Sequence, residues 1–223
     1  DIYIRFQSYS SQKEWQTAIT DKNPLKIDIG PIYSLPPKNR ASYDPVAFQP
    51  RERELIFDID MDEYNSVRTC CTGTNICDLC WKFMVVAIKV IHSTLTTDFG
   101  FKHILWVFSG RRGVHCWVCD EEARKLSAQA RAAIVDYLSV IGGEGKGKKV
   151  NLGTKPLHPA VRRSYKEIVK PMFESHIIED QKLFEENDND TYNNIMSLLP
   201  EDLSKNLTEA WEKGERGGGA VSG

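Results

Sequence analysis

The sequence predicts a mixed α/β protein, and three observations support that class. Residues 54–61 alternate apolar and polar side chains, which is the period of a half-buried β-strand. Two apolar runs flank the turn sequence Ser-Gly-Arg-Arg-Gly at 109–113, as in a strand–turn–strand unit. Residues 78–95 and 127–141 have the apolar pattern and length of helices, the second one closed by Gly142 and Gly143. This order of strands and helices is typical of a mixed α/β core.

The first 50 residues are predicted to contain short strands and loops. Residues 1–35 alternate strand-like pieces with turns, and in KIDIGPIY the side chains of Lys26 and Asp28 share one face while Ile27 and Ile29 share the other. Residues 35–50 are rich in turn-forming residues and are predicted to be a loop. Because the chain starts without a methionine and ends in a glycine-rich tail, we expect a fragment of a longer protein or an engineered chain.

The composition is that of an ordinary globular protein and argues against several functional classes. The formal net charge is −2, so any nucleic-acid partner has to bind local basic patches and not an overall positive field. No window approaches ~18 uninterrupted apolar residues, so we expect no membrane span. All six cysteines lie between residues 70 and 119, which fits a reducing compartment better than a disulfide scaffold.

Two carboxylates on the strand at 54–61 form the first candidate site. Since the apolar residues of this strand occupy one face, Asp58 and Asp60 both point to the other face, ~6–7 Å apart along the strand. Two anions at that separation repel each other unless a cation lies between them. Hard oxygen donors without a nearby histidine suit Mg²⁺ or Mn²⁺. The alternative is a solvated strand face.

A cysteine cluster follows that strand with the spacing C-C-x5-C-x2-C, at Cys70, Cys71, Cys77 and Cys80. Four thiols within so short a stretch can complete a tetrahedral zinc shell, and a site filled by four sulfurs is structural. The vicinal pair leaves open whether both Cys70 and Cys71 ligate, and buried or redox cysteines are the alternative. Cys116 and Cys119 also spell C-x2-C, but on a predicted strand they face opposite sides, so we expect core thiols.

The turn at 109–115 is the second candidate site. Flexible glycines, a hydroxyl and adjacent guanidinium groups suit a triphosphate cradle, and the residues concerned are Ser109, Arg111, Arg112 and His115. The alternative is a hairpin turn with two solvated arginines. A carboxylate pair for metal and a basic turn for phosphate together indicate metal-assisted phosphoryl or nucleotidyl transfer.

Two motif-like segments are set aside, and the remainder of the chain is predicted to be helical. GGEGKGKK at 142–149 lacks the hydroxyl residue and the preceding strand of a phosphate-binding loop, so we expect a mobile basic loop. DFG at 98–100 lacks the companion motifs of a kinase and is predicted to be a turn. We expect a catalytic core at 1–155 with a cysteine knuckle at 70–80, a helical subdomain at 156–213 containing the loop EENDND, and a flexible tail at 214–223.

Several long stretches of the chain together form one recognisable pattern: LIFDIDMDEY, RTCC with ICDLCW, DFGFKHILWVFSGRRGVHCWVCDEEARKLS, and DIYIRFQSY with KIDIG. They closely resemble the catalytic small subunit of eukaryotic DNA primase, in the archaeo-eukaryotic primase superfamily. The resemblance runs with few breaks from residue 1 to about 140 and is fainter through the helical remainder. It implies a mixed β-sheet flanked by helices, with a zinc knuckle and a helical subdomain.

The resemblance also implies roles for particular residues. The D-x-D acids of the family, here Asp58 and Asp60, bind the catalytic divalent metals, the cysteine cluster binds structural zinc, and the turn at 109–115 binds nucleotide phosphates. Family positions near the nucleotide site are matched by Arg5, Lys26 and Asp28. The family also has a third metal-binding aspartate and further nucleotide contacts, which we expect to lie outside this chain, so that the chain carries most of the site but not all of it.

The function implied by the resemblance is synthesis of short RNA primers on single-stranded DNA. Ribonucleoside triphosphates would be joined by two-metal nucleotidyl transfer to initiate DNA replication. The implied partners are the DNA template and RNA primer, a large regulatory primase subunit and the DNA polymerase alpha complex, and the implied location is the nucleus.

Two other functions stay open. A related primase-polymerase or repair polymerase should lack the cysteine knuckle and prefer deoxynucleotides. A non-catalytic, zinc-stabilised module that binds nucleic acid would leave Asp58 and Asp60 merely solvated.

Overall fold

The N-terminal region holds one helix and a small two-stranded sheet. The computed structural model describes residues 2–139, 141–142, 149–150, 157–182, 196, 199 and 201–212. Helix α1 spans Gln12–Lys22, strand β1 spans Ile32–Tyr33, a 3₁₀ turn covers Pro37–Ser42, and strand β2 spans Pro50–Glu52 and pairs antiparallel with β1. The expectation of strands in residues 1–35 is therefore wrong except at β1.

Helix α1 is an element that the pattern of apolar residues does not predict. It begins because the Ser11 hydroxyl accepts a hydrogen bond from the Glu14 backbone N–H at 3.2 Å, while the Glu14 carboxylate accepts one from the Ser10 backbone N–H at 2.8 Å. Such reciprocal bonds satisfy amide groups that have no partner within the first turn of a helix. The Ser-x-x-Glu spacing is the signal that marks this helix start.

A three-stranded antiparallel sheet forms the centre of the fold and places the candidate site residues. Strand β3 spans Leu55–Asp60, β4 spans Ile104–Phe108 and β5 spans Gly113–Val118, in the order β3-β5-β4. The register pairs Asp58 with His115 and Asp60 with Gly113. The α/β class is confirmed, but the described strands pair only antiparallel, so the mixed sheet that the resemblance implied is not found among them.

Helices α2, Asp78–Thr97, and α4, Ala128–Leu138, contribute to the core on the apolar side of this sheet, with the short helix α3, Glu121–Arg124, between them. At one end of the sheet Phe83 and Met84 of α2 pack with Val114, and at the other end Leu95 of α2 packs with Leu55. By length and composition α2 is also the one described helix that would be able to cross a membrane. Its packing on the sheet assigns it to the core.

The C-terminal third is mainly helical where it is described. Strand β6, Ile141–Gly142, pairs with β7, Lys149–Val150. Helix α5, Pro159–Ser164, continues through a π-helical turn, Tyr165–Val169, into α6, Lys170–Met172, and a second π-helical turn, Phe173–Glu179, while α7 spans Glu201–Glu212. We call residues 157–182 the helical segment.

Two ion pairs attach the helical segment to α2. Arg163 binds Asp98 through two hydrogen bonds of 2.8 and 2.7 Å. At the other end of the segment, Lys82 Nζ lies 2.5 Å from Asp180 Oδ2. The segment is therefore held near both ends of the long core helix.

The outcome for the remaining sequence predictions is mixed. The strand at 54–61, the helix at 78–95, the paired strands around 109–113 and the turn at 98–100 are confirmed. The helix predicted to close at Gly142 and Gly143 ends earlier, at Leu138, because the backbone of Ser139 is extended, with φ −81° and ψ 117°. Gly142 pairs in β6, and Gly143 lies outside the described residues. Residues 143–148 of the basic loop, the EENDND loop and the tail at 214–223 also lie outside them. The three-region division stays a prediction.

Candidate metal and nucleotide site

Asp58 and Asp60 lie on the sheet face opposite the core, as their alternation predicts. The side chain of Asp58 is 75% exposed and that of Asp60 is 46% exposed. Directly across on β5, His115 Nε2 lies 3.4 Å from Asp58 Oδ1. The two carboxylates therefore share one open surface with a ring nitrogen, next to the turn between β4 and β5.

Arg112 joins this turn to the acidic strand. Its Nε lies 2.7 Å from Asp60 Oδ1, an ion pair in which the Nε–H is not aligned for a hydrogen bond, and its Nη2 contacts Asp62 Oδ2. The Arg112 side chain is only 17% exposed, whereas Arg111 is exposed. The alternative of two solvated arginines is thus wrong for Arg112.

The same network keeps Asp60 ionised. Asp60 Oδ1 accepts a 2.9 Å hydrogen bond from the Asp62 backbone N–H, which caps the 3₁₀ turn Met61–Tyr64. This bond is the main reason why the pKa of Asp60 lies below its ordinary value. Burial opposes it, and the contact with Arg112 and the charges of Arg112 and Arg111 add to the lowering. Asp62 lies just past the end of β3 and still takes part in this network. Its place in the network is signalled by the spacing Asp58, Asp60, Asp62, with every second residue acidic.

The turn itself is closed by Ser109 and requires its glycines. The Ser109 hydroxyl accepts a 3.0 Å hydrogen bond from the Gly113 N–H, and the Ser109 N–H donates to the Gly113 carbonyl at 2.9 Å. Gly110 has a φ of 90°, which side chains rarely adopt. A Cβ on Gly113 would lie 2.5 Å from the Ile59 carbonyl oxygen. The glycines therefore let the basic turn close tightly against β3.

The donor set at Asp58 and Asp60 fits a hard divalent cation. Mg²⁺ is usually held by one or two carboxylates, with water and substrate phosphates completing its shell. The exposure of both acids leaves room for such additional ligands. No group of three metal-ligating side chains includes these two acids among the described residues. The one such group there is the cysteine cluster, so Asp58 and Asp60 offer two carboxylates to an ion.

The cysteine cluster fits a structural zinc ion. The sulfur atoms of Cys70, Cys71, Cys77 and Cys80 all lie within 4.8 Å of one another, and those of Cys77 and Cys80 are 3.9 Å apart. Tetrahedral zinc with Zn–S bonds of about 2.3 Å needs sulfurs roughly 3.8 Å apart. Both vicinal cysteines belong to the group, so the spacing accommodates four sulfur ligands.

Hydrogen bonds within the cluster, from a backbone N–H and between thiols, give the cysteines different pKa values. A hydrogen bond from the Cys80 backbone N–H lowers the pKa of Cys77 to about 7. A hydrogen bond with Cys77 raises the pKa of Cys71 to about 12. Cys116, in contrast, is fully buried in the core, and burial raises its pKa to about 12, while Cys119 is half-buried. The expectation of a buried core thiol holds for Cys116.

The residues Arg5, Lys26 and Asp28 lie in the N-terminal region. The Tyr3 hydroxyl donates a hydrogen bond to Asp28, and the Arg5 guanidinium lies 4.8 Å from the centre of the Tyr3 ring. Lys26 is exposed. Among the described residues, no ion pair or hydrogen bond joins these three to the acids of β3 or to the 109–115 turn. Their nucleotide-binding role stays a prediction.

Comparison with known proteins points to one family. A family model described as DNA primase small subunit matches residues 57–214. The DNA primase small subunit of Drosophila melanogaster is 48% identical over 188 residues, covering 82% of this chain and 42% of that protein. Those of Schizosaccharomyces pombe and Saccharomyces cerevisiae are 41% and 40% identical and cover 95% of this chain, but 47% and 50% of their own lengths. The chain thus spans about half the length of the curated relatives it matches.

Proposed function

Since this chain belongs to the DNA primase small subunit family, we propose that it carries the metal- and phosphate-binding half of a nucleotidyl-transfer site. Within the whole subunit, that site joins ribonucleoside triphosphates into short RNA primers on single-stranded DNA for the start of DNA replication. The observation that supports this most directly is that both acids lie against the 109–115 segment, Asp60 through its ion pair with Arg112 and Asp58 through His115.

Asp58 and Asp60 are the residues proposed to hold the catalytic Mg²⁺ or Mn²⁺. A divalent cation supplies Lewis-acid stabilisation of charge on the transferred phosphoryl group and activates the attacking hydroxyl. For the chain itself, the low pKa of Asp60 keeps this carboxylate charged and able to ligate at neutral pH. His115, 3.4 Å from Asp58, supports the orientation of the other carboxylate.

The 109–115 turn is proposed to hold the triphosphate. Arg111 is exposed, and Arg112 lies beside the acids, so together they place two guanidinium groups where phosphate charge has to be neutralised. Because the Ser109 oxygen accepts the Gly113 N–H, the Ser109 hydroxyl proton is free to be donated to a phosphate oxygen. Arg5, Lys26 and Asp28 are proposed to contact the nucleotide from the N-terminal region.

The partners are proposed from the same family membership. They are a single-stranded DNA template and RNA primer, a large regulatory primase subunit, and the DNA polymerase alpha complex, in the nucleus. The cysteine cluster, filled by sulfur at all four positions, is assigned a structural and not a catalytic role.

The test is Asp60→Asn in the full-length subunit. We expect primer synthesis to fall at least ~100-fold, the scale of losing one group that stabilises transition-state charge, while binding of a labelled single-stranded oligonucleotide persists. Glu63→Gln is the matched control, since Glu63 is an exposed carboxylate just beyond the strand. Unchanged synthesis by Asp60→Asn would refute the proposal and favour a non-catalytic nucleic-acid-binding module.

A further inference from the structure

Arg68 is a buried cation whose partners surround the cysteine cluster. It is 5% exposed, and among the described residues no carboxylate lies within ion-pair distance of its guanidinium. Its nitrogens bind the Asn65 side-chain oxygen at 2.9 and 2.5 Å, the Gly73 carbonyl at 2.5 Å and the Asn75 carbonyl at 2.8 Å. Nη1 also lies 3.8 Å from Cys80 Sγ, a long hydrogen bond of the kind that sulfur accepts.

Gln181 reaches the same cluster from the helical segment. Its side chain is completely buried. Its amide oxygen accepts a 2.8 Å hydrogen bond from the Thr69 backbone N–H, and its amide nitrogen donates to Cys70 Sγ at 3.5 Å. The Thr69 hydroxyl donates to the Gln181 backbone carbonyl at 2.5 Å. One residue thus satisfies both the backbone and a thiol of the cysteine loop.

These two side chains have the chemistry that a zinc–thiolate site needs around it. Four thiolates and one Zn²⁺ carry a net charge of about −2, and the sulfurs of such a site are stabilised by nearby N–H donors and positive charge. Arg68 supplies a buried positive charge and an N–H toward Cys80, and Gln181 supplies an N–H toward Cys70. An apolar core would offer neither.

We propose that Arg68 and Gln181 are positioning residues of the zinc site, and that Gln181 couples zinc occupancy to docking of the helical segment on the core. The coupling follows from the position of Gln181, which lies next to Asp180 of the Lys82 ion pair, while Ile177 packs in the cluster around Met61. If zinc fixes the sulfur to which Gln181 donates, zinc favours the docked segment, and the docked segment favours zinc by the same factor. The proposal is independent of primer synthesis.

Gln181 is tested by zinc affinity measured against a chromophoric chelator, using the full chain. Gln181→Leu removes both hydrogen-bonding atoms, and Gln181→Glu keeps the acceptor for Thr69 but removes the donor to Cys70. We expect both to lower zinc affinity about 10- to 100-fold, the range for loss of such supporting contacts. The absorption spectrum of Co²⁺ in the site should shift in both variants, because it reports the sulfur ligands directly. Unchanged affinity and an unchanged Co²⁺ spectrum would overturn the role of Gln181.

Arg163→Gln is the matched control, because it removes the ion pair with Asp98 at the far end of the helical segment and leaves the Lys82–Asp180 pair and the Gln181 contacts to hold the end next to the cysteines docked. We expect its zinc affinity to stay within about threefold of wild type. If Arg163→Gln lost as much zinc affinity as Gln181→Leu does, the hydrogen bond from Gln181 to Cys70 would not be the contact that links zinc to the helical segment, and this part of the proposal would be overturned. In hydrogen exchange, zinc removal should speed exchange at 173–182 in the wild type and much less in Gln181→Leu. Equal acceleration in both would overturn the coupling.

Arg68 is tested by charge-keeping and charge-removing variants. Arg68→Lys keeps the positive charge with fewer donors, and Arg68→Met removes the charge at similar length. We expect zinc affinity to fall by at least about tenfold in Arg68→Met and by clearly less in Arg68→Lys. An Arg68→Met protein that binds zinc as the wild type does would overturn the assignment, and so would equal losses in both variants, since charge would then be irrelevant.

Discussion

Replacing Gly113 with alanine should destabilise the protein by pushing β5 away from β3 beside the acids. The added Cβ would lie 2.5 Å from the Ile59 carbonyl oxygen and 3.4 Å from the Asp60 Cα. Carbon–oxygen contacts between neighbouring strands are normally no shorter than about 3.3 Å. The strands therefore have to separate locally by about 0.8 Å, because the obstacle is backbone and not the end of a flexible side chain.

The cost follows from the hydrogen bonds at this end of the sheet. The Met61 N–H donates to the Arg112 carbonyl at 3.3 Å, already at the long limit. A further separation breaks this bond and strains the Arg112–Asp60 ion pair beside it. One or two lost backbone bonds, at about 0.5–1.5 kcal/mol each, give a loss of about 1–3 kcal/mol in the free energy of unfolding. For a chain of this size that lowers the Tm by about 2–12 °C.

Urea unfolding followed by circular dichroism measures this loss, and Gly30→Ala is the control. A Cβ on Gly30 meets nothing within 4 Å, so its stability should change by less than about 0.5 kcal/mol. If Gly113→Ala and Gly30→Ala are equally stable, the close approach of β5 to β3 is not as described, and the geometry of the site loses its basis.

Three further outcomes are expected. Arg112→Gln should raise the pKa of Asp60 toward its ordinary value of 3.8, as measured by carboxyl ¹³C NMR titration. Because the folded-state pKa is depressed, ionised Asp60 stabilises the fold above pH 3.8, and this stabilisation is lost as the pH falls through the folded-state pKa. An Asp60 titration that does not move in Arg112→Gln would contradict the network. Cys80→Ser should abolish stoichiometric zinc in metal analysis while Cys116→Ser keeps it, and zinc retained by Cys80→Ser would disprove the four-sulfur site. Arg163→Gln should lower the free energy of unfolding by about 1–3 kcal/mol, because it removes the two hydrogen bonds to Asp98 between side chains that are both under 20% exposed. An unchanged free energy of unfolding in urea would show that the Arg163–Asp98 pair does not stabilise the fold.

Local periodicity was sufficient to predict the acidic strand face and the basic turn. The two-residue repeat places Asp58 and Asp60 on one side wherever the strand lies, and the turn residues between two apolar runs predict a hairpin at 109–113. Contacts that depend on strand register were not predictable in this way. Arg112 meets Asp60 only because Asp60 pairs with Gly113, the next residue along.

Contacts between residues far apart in the chain could not be predicted, because no local sequence pattern identifies the partner. Gln181 contacts Cys70 across 111 positions of chain, and no local pattern marks a glutamine as the partner of a thiol. In the N-terminal region the alternation in KIDIG predicted a strand, yet Ile27 and Ile29 stay exposed, since alternation forms a strand only where a partner strand supplies hydrogen bonds. There the missed α1 had a readable signal in its Ser11–Glu14 cap.

Arg112 gives the acidic strand an internal counter-ion. While no ligand is bound, its guanidinium balances Asp60 and Asp62, which suppresses both free negative and free positive charge at the turn. A cation that takes over the carboxylates releases the guanidinium, and an anion that takes over the guanidinium releases the carboxylates. Under the proposed function, binding of the divalent ion therefore frees the group that binds phosphate, and binding of the nucleotide frees the carboxylates. The two ligands should then bind more tightly together than either does alone, by a factor that is the same in both directions.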